Sequence, residues 1–89
     1  MVVILMERVS SSARGELSRW LVEVKSGVFV GRISAVVREK LWERICVPAG
    51  GGATLIYTTN TEQGFAVKTN GKSRYRIVDL EGVFLAEAP

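Results

Sequence analysis

The stretch from Trp20 to Ser34, WLVEVKSGVFVGRIS, constrains the fold of this chain more than any other, because it leaves almost no slack between consecutive elements. Leu17, Trp20, Leu21 and Val24 recur at helical spacing and predict one apolar helix face. Ser26-Gly27 then predicts a helix stop, since glycine accepts the left-handed conformation that helix ends commonly need. Val28-Phe29-Val30 is apolar throughout and reads as a short strand, covered on both faces or paired inside a sheet. Gly31 breaks it, and Ser34 is placed to cap a second helix by accepting a bond from an early backbone N–H. The expectation is a helix, a tight glycine turn, a very short strand and a second helix.

With 89 residues, the chain is long enough for one domain, 1–89, and not for a second core. A domain this small buries roughly 60% of its unfolded surface, a thin margin that favours an oligomer. Lys and Arg number 12 against 9 acidic residues, a mild basic excess that permits nucleic-acid binding without demanding it. Cys46 is the single cysteine, so an intramolecular disulfide and a cysteine zinc site are both excluded, and it reads as a small buried thiol. Histidine is absent, which removes Ser-His and Cys-His catalysis and imidazole metal ligation. Any chemistry falls to carboxylates, hydroxyls, Lys or Arg. The apolar run Met1–Met6 is cut off by Glu7-Arg8 and is too short for a signal peptide or a membrane span, so a cytoplasmic location is expected.

Val2–Met6 is β-branched and predicts a central strand. Ser10-Ser11-Ser12 offers caps for a first helix over Ala13 to Val24, in which Gly15 costs about 1 kcal/mol against Ala. That glycine is either a point of close backbone approach or tolerated drift. Ile33, Val37, Leu41 and Ile45 step along one face of a second helix, Ala35 to Ile45, which Val36 and Trp42 widen. Pro48 and Gly50-Gly51-Gly52 end it in a flexible turn; without a Gly-Lys-Ser/Thr ending or a following helix, this is no phosphate loop. Strands are expected at Thr54–Thr59 and Gly64–Thr69 around a short hairpin loop, then Asn70-Gly71 marks a turn. The basic stretch Lys72–Arg76 leads to short strands at Ile77–Leu80 and Val83–Ala86. The order is strand, helix, strand, helix, then three or four strands. An α+β ferredoxin-like sandwich, two helices on one face of a mostly antiparallel sheet with an added C-terminal strand or hairpin, satisfies it best.

Several blocks together resemble a known family. They are Arg14-Gly15, Trp20–Gly31, Ser34-Ala35, Arg38-Glu39, Leu41-Trp42-Glu43, Thr59–Phe65 and Val78–Gly82. In this order they resemble the type I-E branch of the second CRISPR-associated adaptation protein, the small partner of the CRISPR integrase. The resemblance implies a ferredoxin-like homodimer that sits between integrase dimers and holds double-stranded prespacer DNA before its insertion. It also implies, as an alternative, a metal-dependent nuclease acting on RNA or double-stranded DNA.

Phosphate contacts call for ordered Arg or Lys, because each neutralised phosphate releases condensed counterions. Arg14, in the first turn of the first helix, matches a position on the family's DNA face; the plain alternative is a solvated surface arginine. Arg74 and Arg76 resemble the family's basic pair, here separated by Tyr75; on a strand they would share a face. Arg38 is a further candidate, and Val36 stands where the family can place a basic residue. Glu7 follows the first strand where nuclease-type relatives place an aspartate. Paired across a two-fold axis, it is the expected catalytic and metal position for Mg²⁺ or Mn²⁺, although it is Glu and adjoins Arg8. Without a nuclease role no cofactor is required. Trp20 and Trp42 lie at helical spacing and read as core or dimer packing. The segment from Tyr75 to Ala86, with Tyr75, Ile77, Val78, Val83 and Phe84, is expected to dock on the integrase or on the other protomer by strand addition. A ferredoxin-like RNA-binding module is the third reading, but its paired strand aromatics are not visible. No membrane association is expected.

Overall fold

The computed structural model describes residues 1–71, 76–80 and 83–87. The element order is β1 (Val2–Met6), α1 (Ser11–Ser18), β2 (Val22–Lys25), β3 (Val28–Gly31), α2 (Ala35–Leu41), a π-helical segment (Trp42–Cys46), β4 (Ala53–Thr58), β5 (Phe65–Asn70), β6 (Arg76–Leu80) and β7 (Val83–Glu87). The first five strands form one antiparallel sheet in the order β2-β3-β1-β4-β5, and β6 and β7 pair separately. This is the ferredoxin-like sandwich expected from the element order, extended at one edge by β5 and followed by a C-terminal hairpin.

The first helix is the main correction. It runs only from Ser11 to Ser18, and Val22–Lys25 is an edge strand rather than its continuation. Leu17 and Leu21 are buried, but Trp20 is 48% exposed and Val24 62%, so the four do not form one helical face. Ser26-Gly27 is therefore the turn of a β-hairpin, not a helix cap. Val22-Glu23-Val24-Lys25 alternates apolar and charged residues, the period of a strand as much as of a helix. Pairing with β3 decides between them: Val22 faces Val30 and Glu23 faces Phe29.

Gly27 fits that turn for two reasons. Its φ of +79° lies in the left-handed region, and a Cβ would stand 2.4 Å from the Met6 carbonyl oxygen. The approach lets the Met6 N–H donate to the Gly27 carbonyl at 2.8 Å, tying the hairpin to the end of β1.

Both helices start as their serines predict. The Ser10 hydroxyl accepts from Ala13 N–H and the Ser34 hydroxyl from Val37 N–H. Past Leu41 the helix widens, with Val47 N–H reaching back to the Trp42 carbonyl. The widened turn directs Trp42 and Cys46 into the core and leaves Ile45 half-buried. Val36, expected on the apolar face, is 64% exposed.

Ile4, Leu17, Phe29, Cys46 and Leu55 are fully buried between the helices and one face of the sheet. The triple-glycine turn packs closely rather than hanging free. Gly52 is buried, its carbonyl accepts from Glu7 N–H at 3.1 Å, and its Cα lies 2.7 Å from where a Cβ on Gly71 would stand.

The face of the sheet away from the helices is apolar as well. Val22, Val30, Val3, Ile56 and Val67 stand opposite one another in register, one on each strand from edge to edge. Beside this row, Leu5 lies between Val28 and Thr54. No helix among the described residues is long and apolar enough to cross a membrane.

Candidate functional site

Arg14 projects from α1, the short helix that Ser10 caps. Its Nε donates to both carboxylate oxygens of Glu23, at 2.9 and 3.1 Å. Glu23 in turn accepts from the Gly27 N–H at 3.0 Å. One carboxylate on β2 thus joins the helix to the β2–β3 turn. The Gly27 amide, and then the Arg14 guanidinium, hold the Glu23 carboxyl below the usual carboxylate range. Among the described residues neither Nη group of Arg14 has a partner, and the side chain is 43% exposed. A guanidinium fixed at Nε keeps its terminal donors for an anion.

Arg38 has a different setting. Its guanidinium carbon lies 3.8 Å from the centre of the Tyr57 ring, and only 18% of the side chain is exposed. Stacking of this kind contributes on the order of 1 kcal/mol and serves the contact between α2 and β4. The neighbouring Glu39 accepts from Lys68 Nζ of β5 at 2.7 Å, pairing the helix with the sheet edge. Arg14 and Arg38 are therefore not brought into one pair: the first keeps Nη donors without a partner among the described residues, the second is packed.

Arg74 and Tyr75 lie outside the described residues. Arg76 opens β6, followed by Ile77 and Val78, and β6 pairs with β7 so that Ile77 stands opposite Ala86 and Val78 opposite Leu85 in register. The Gln63 side chain grips β7: its Nε2 donates to the Phe84 carbonyl at 2.9 Å, and its Oε1 accepts from Phe84 N–H at 2.6 Å. The amide thus substitutes for one strand residue and moors the hairpin at the β4–β5 loop. Phe84 is half-buried, whereas Val83 and Leu85 are 38% and 47% exposed.

Glu7 is exposed just past β1, and among the described residues its carboxylate has no hydrogen-bond or ion-pair partner. A divalent metal needs several oxygen ligands. No group of three His, Cys, Asp or Glu side chains suited to a metal occurs among the described residues. The described carboxylates around Glu7 therefore do not make a metal site by themselves. Cys46 is buried, and burial pushes its thiol up to about 11, which favours the neutral form. Trp42 belongs to the core, while Trp20 walls a groove of about 270 Å³ between α1 and α2, with Val37, Leu41 and Ile45 on its other side.

Glu23 is the residue that sequence reasoning missed, because a helical assignment pointed it to solvent. Its signal was the two-residue alternation of β2. A family model described as CRISPR-associated protein (Cas_Cas2CT1978) matches residues 1–85, so the chain belongs to that CRISPR-associated family.

Proposed function

We propose, from membership of a CRISPR-associated family, that this protein is a dimeric scaffold for double-stranded DNA that bridges CRISPR integrase dimers during spacer acquisition, in the manner of the type I-E branch. The observation that carries this reading is Arg14, a half-exposed arginine anchored through Nε with both Nη groups unpartnered among the described residues. A two-fold partner doubles that contact and spaces two such groups along a duplex backbone. The apolar row Val22, Val30, Val3, Ile56 and Val67 is the surface on which the two copies pack. The β6–β7 hairpin supplies a backbone edge for the integrase. Nothing in this arrangement reads bases, so binding is expected to follow the phosphate backbone.

Affinity for a random-sequence duplex should fall steeply between about 50 and 200 mM salt. Arg14→Ala should reduce the slope of log affinity against log salt by about one for each phosphate that is no longer neutralised. Binding indifferent to salt, or an unchanged slope in the variant, would sink the reading. Running the same titration with and without the integrase separates a bridging scaffold from a free-standing binder.

The second reading, a divalent-metal endonuclease on DNA or RNA, rests on Glu7, just past β1 and without a partner among the described residues. It requires the partner copy to complete the ligand set. Mg²⁺- or Mn²⁺-dependent cleavage that persists in Glu7→Ala rules Glu7 out as the catalytic group.

A further inference from the structure

We infer that Glu23 is a positioning residue for Arg14: its carboxylate fixes the guanidinium plane through Nε and leaves both Nη groups as a preorganised fork for a backbone phosphate. The inference rests on the proposed duplex contact of Arg14 and adds to it the group that makes the contact ordered.

The geometry is specific. An arginine carries one N–H at Nε and two on each Nη, all in one plane. The common bidentate pair spends an Nη donor on the carboxylate. Here Nε alone is shared between the two oxygens, at 2.9 and 3.1 Å, and among the described residues the four terminal N–H bonds have no partner. Glu23 is itself immobilised, because one of its oxygens accepts from the Gly27 N–H at 3.0 Å. Gly27 is buried, and its carbonyl is held by the Met6 N–H. A chain of hydrogen bonds thus runs from the central strand through the hairpin turn to the arginine. A guanidinium ordered before binding loses less freedom when it meets its anion.

Charge and positioning make opposite predictions for Glu23→Gln. The substitution removes one negative charge, taking the formal net charge from +3 to +4. Bulk electrostatics would then tighten binding to a polyanion. Positioning weakens it instead, by about two- to tenfold for each immobilised side chain released. Gln keeps an acceptor for Gly27, and a thermal melt confirms that the variant is folded at the assay temperature. In an Arg14→Lys background, which keeps the charge but has no Nε–Nη fork, Glu23→Gln should cause no loss.

The test measures duplex affinity for the wild type, Arg14→Ala, Glu23→Gln, Arg14→Lys and the Arg14→Lys/Glu23→Gln double variant. Loss in Arg14→Ala and Glu23→Gln, absent in the lysine background, supports the proposal. Loss in Arg14→Ala with wild-type or tighter binding in Glu23→Gln overturns positioning and leaves the duplex contact standing. No loss in Arg14→Ala overturns the duplex contact, and positioning with it. A second measurement uses the wild-type protein alone. The Arg14 Nε–H signal in nitrogen-15 NMR should resist solvent exchange and persist when duplex is added, while the Nη signals shift. Free exchange of that proton overturns the proposal whatever the variants do.

Discussion

Gly15 lies inside α1 with nothing within 4 Å of where a Cβ would stand. Its backbone is helical, so glycine is not required there by conformation, and no neighbour in the described chain needs the space. Gly15→Ala should therefore stabilise the fold by about 1 kcal/mol, the difference in helix propensity. A melt should show this as roughly 4–8 °C in a domain of this size. If the variant melts higher yet binds duplex less well, the missing side chain serves the approach of a phosphate beside Arg14. Unchanged stability would mean that the helix is already set by packing. Arg14 and Arg38 make the related point about charge. Both are single arginines on helices, but one rests on a carboxylate by its inner nitrogen and the other lies over the Tyr57 ring. Residue type alone did not separate them; their neighbours across the sheet did.

At the scale of elements, the β2–β3 hairpin carries more of the architecture than its length suggests. It supplies Glu23 to α1, the Gly27 carbonyl to β1, and Val22 and Val30 to the open face of the sheet. Gly27→Ala should be costly. A left-handed residue with a Cβ loses about 1–2 kcal/mol, and the forced retreat from the Met6 carbonyl sacrifices a hydrogen bond with a net value of about 1 kcal/mol. The expected drop in melting temperature is roughly 8–20 °C. A change of under about 2 °C in the melt, well below that range, would show that the hairpin can shift without loss. The same hairpin is where sequence reasoning went wrong. Leu17, Trp20, Leu21 and Val24 do fall at helical spacing, but Trp20 and Val24 are exposed. Periodicity registers a pattern and not which partner satisfies it. In a four-residue edge strand the helical and extended patterns overlap. The serine caps, the central strand Val2–Met6 and the β4–β5 hairpin were legible because their signals act within a few residues. Arg74 and Tyr75, at the other end of the expected site, lie outside the described residues.

At the scale of the whole molecule, the described residues form a sheet with one helix-covered face and one apolar face on which none of the described helices packs. The row of apolar, β-branched residues across five strands is what a second copy would cover. Val30→Glu places a charge at the middle of β3 on that face, and burying it unpaired in an interface costs several kcal/mol. Sedimentation should show the wild type as a dimer and the variant as a monomer at the same micromolar concentration, with the fold retained. A variant that remains dimeric would move the interface elsewhere.

Sequence by itself determined the fold class, the capped starts of both helices, the central strand and, with one cysteine and no histidine, that no intramolecular disulfide or imidazole ligand can form. Each of these depends on composition or on rules that operate over a few neighbouring positions. Only the tertiary structure decided that Trp20 to Ser34 contains a β-hairpin, that Gly27 is held against Met6, and that Glu23 rests under Arg14. Those outcomes depend on contacts between different elements, where the free energy of a contact outweighs the local preference of the residues making it.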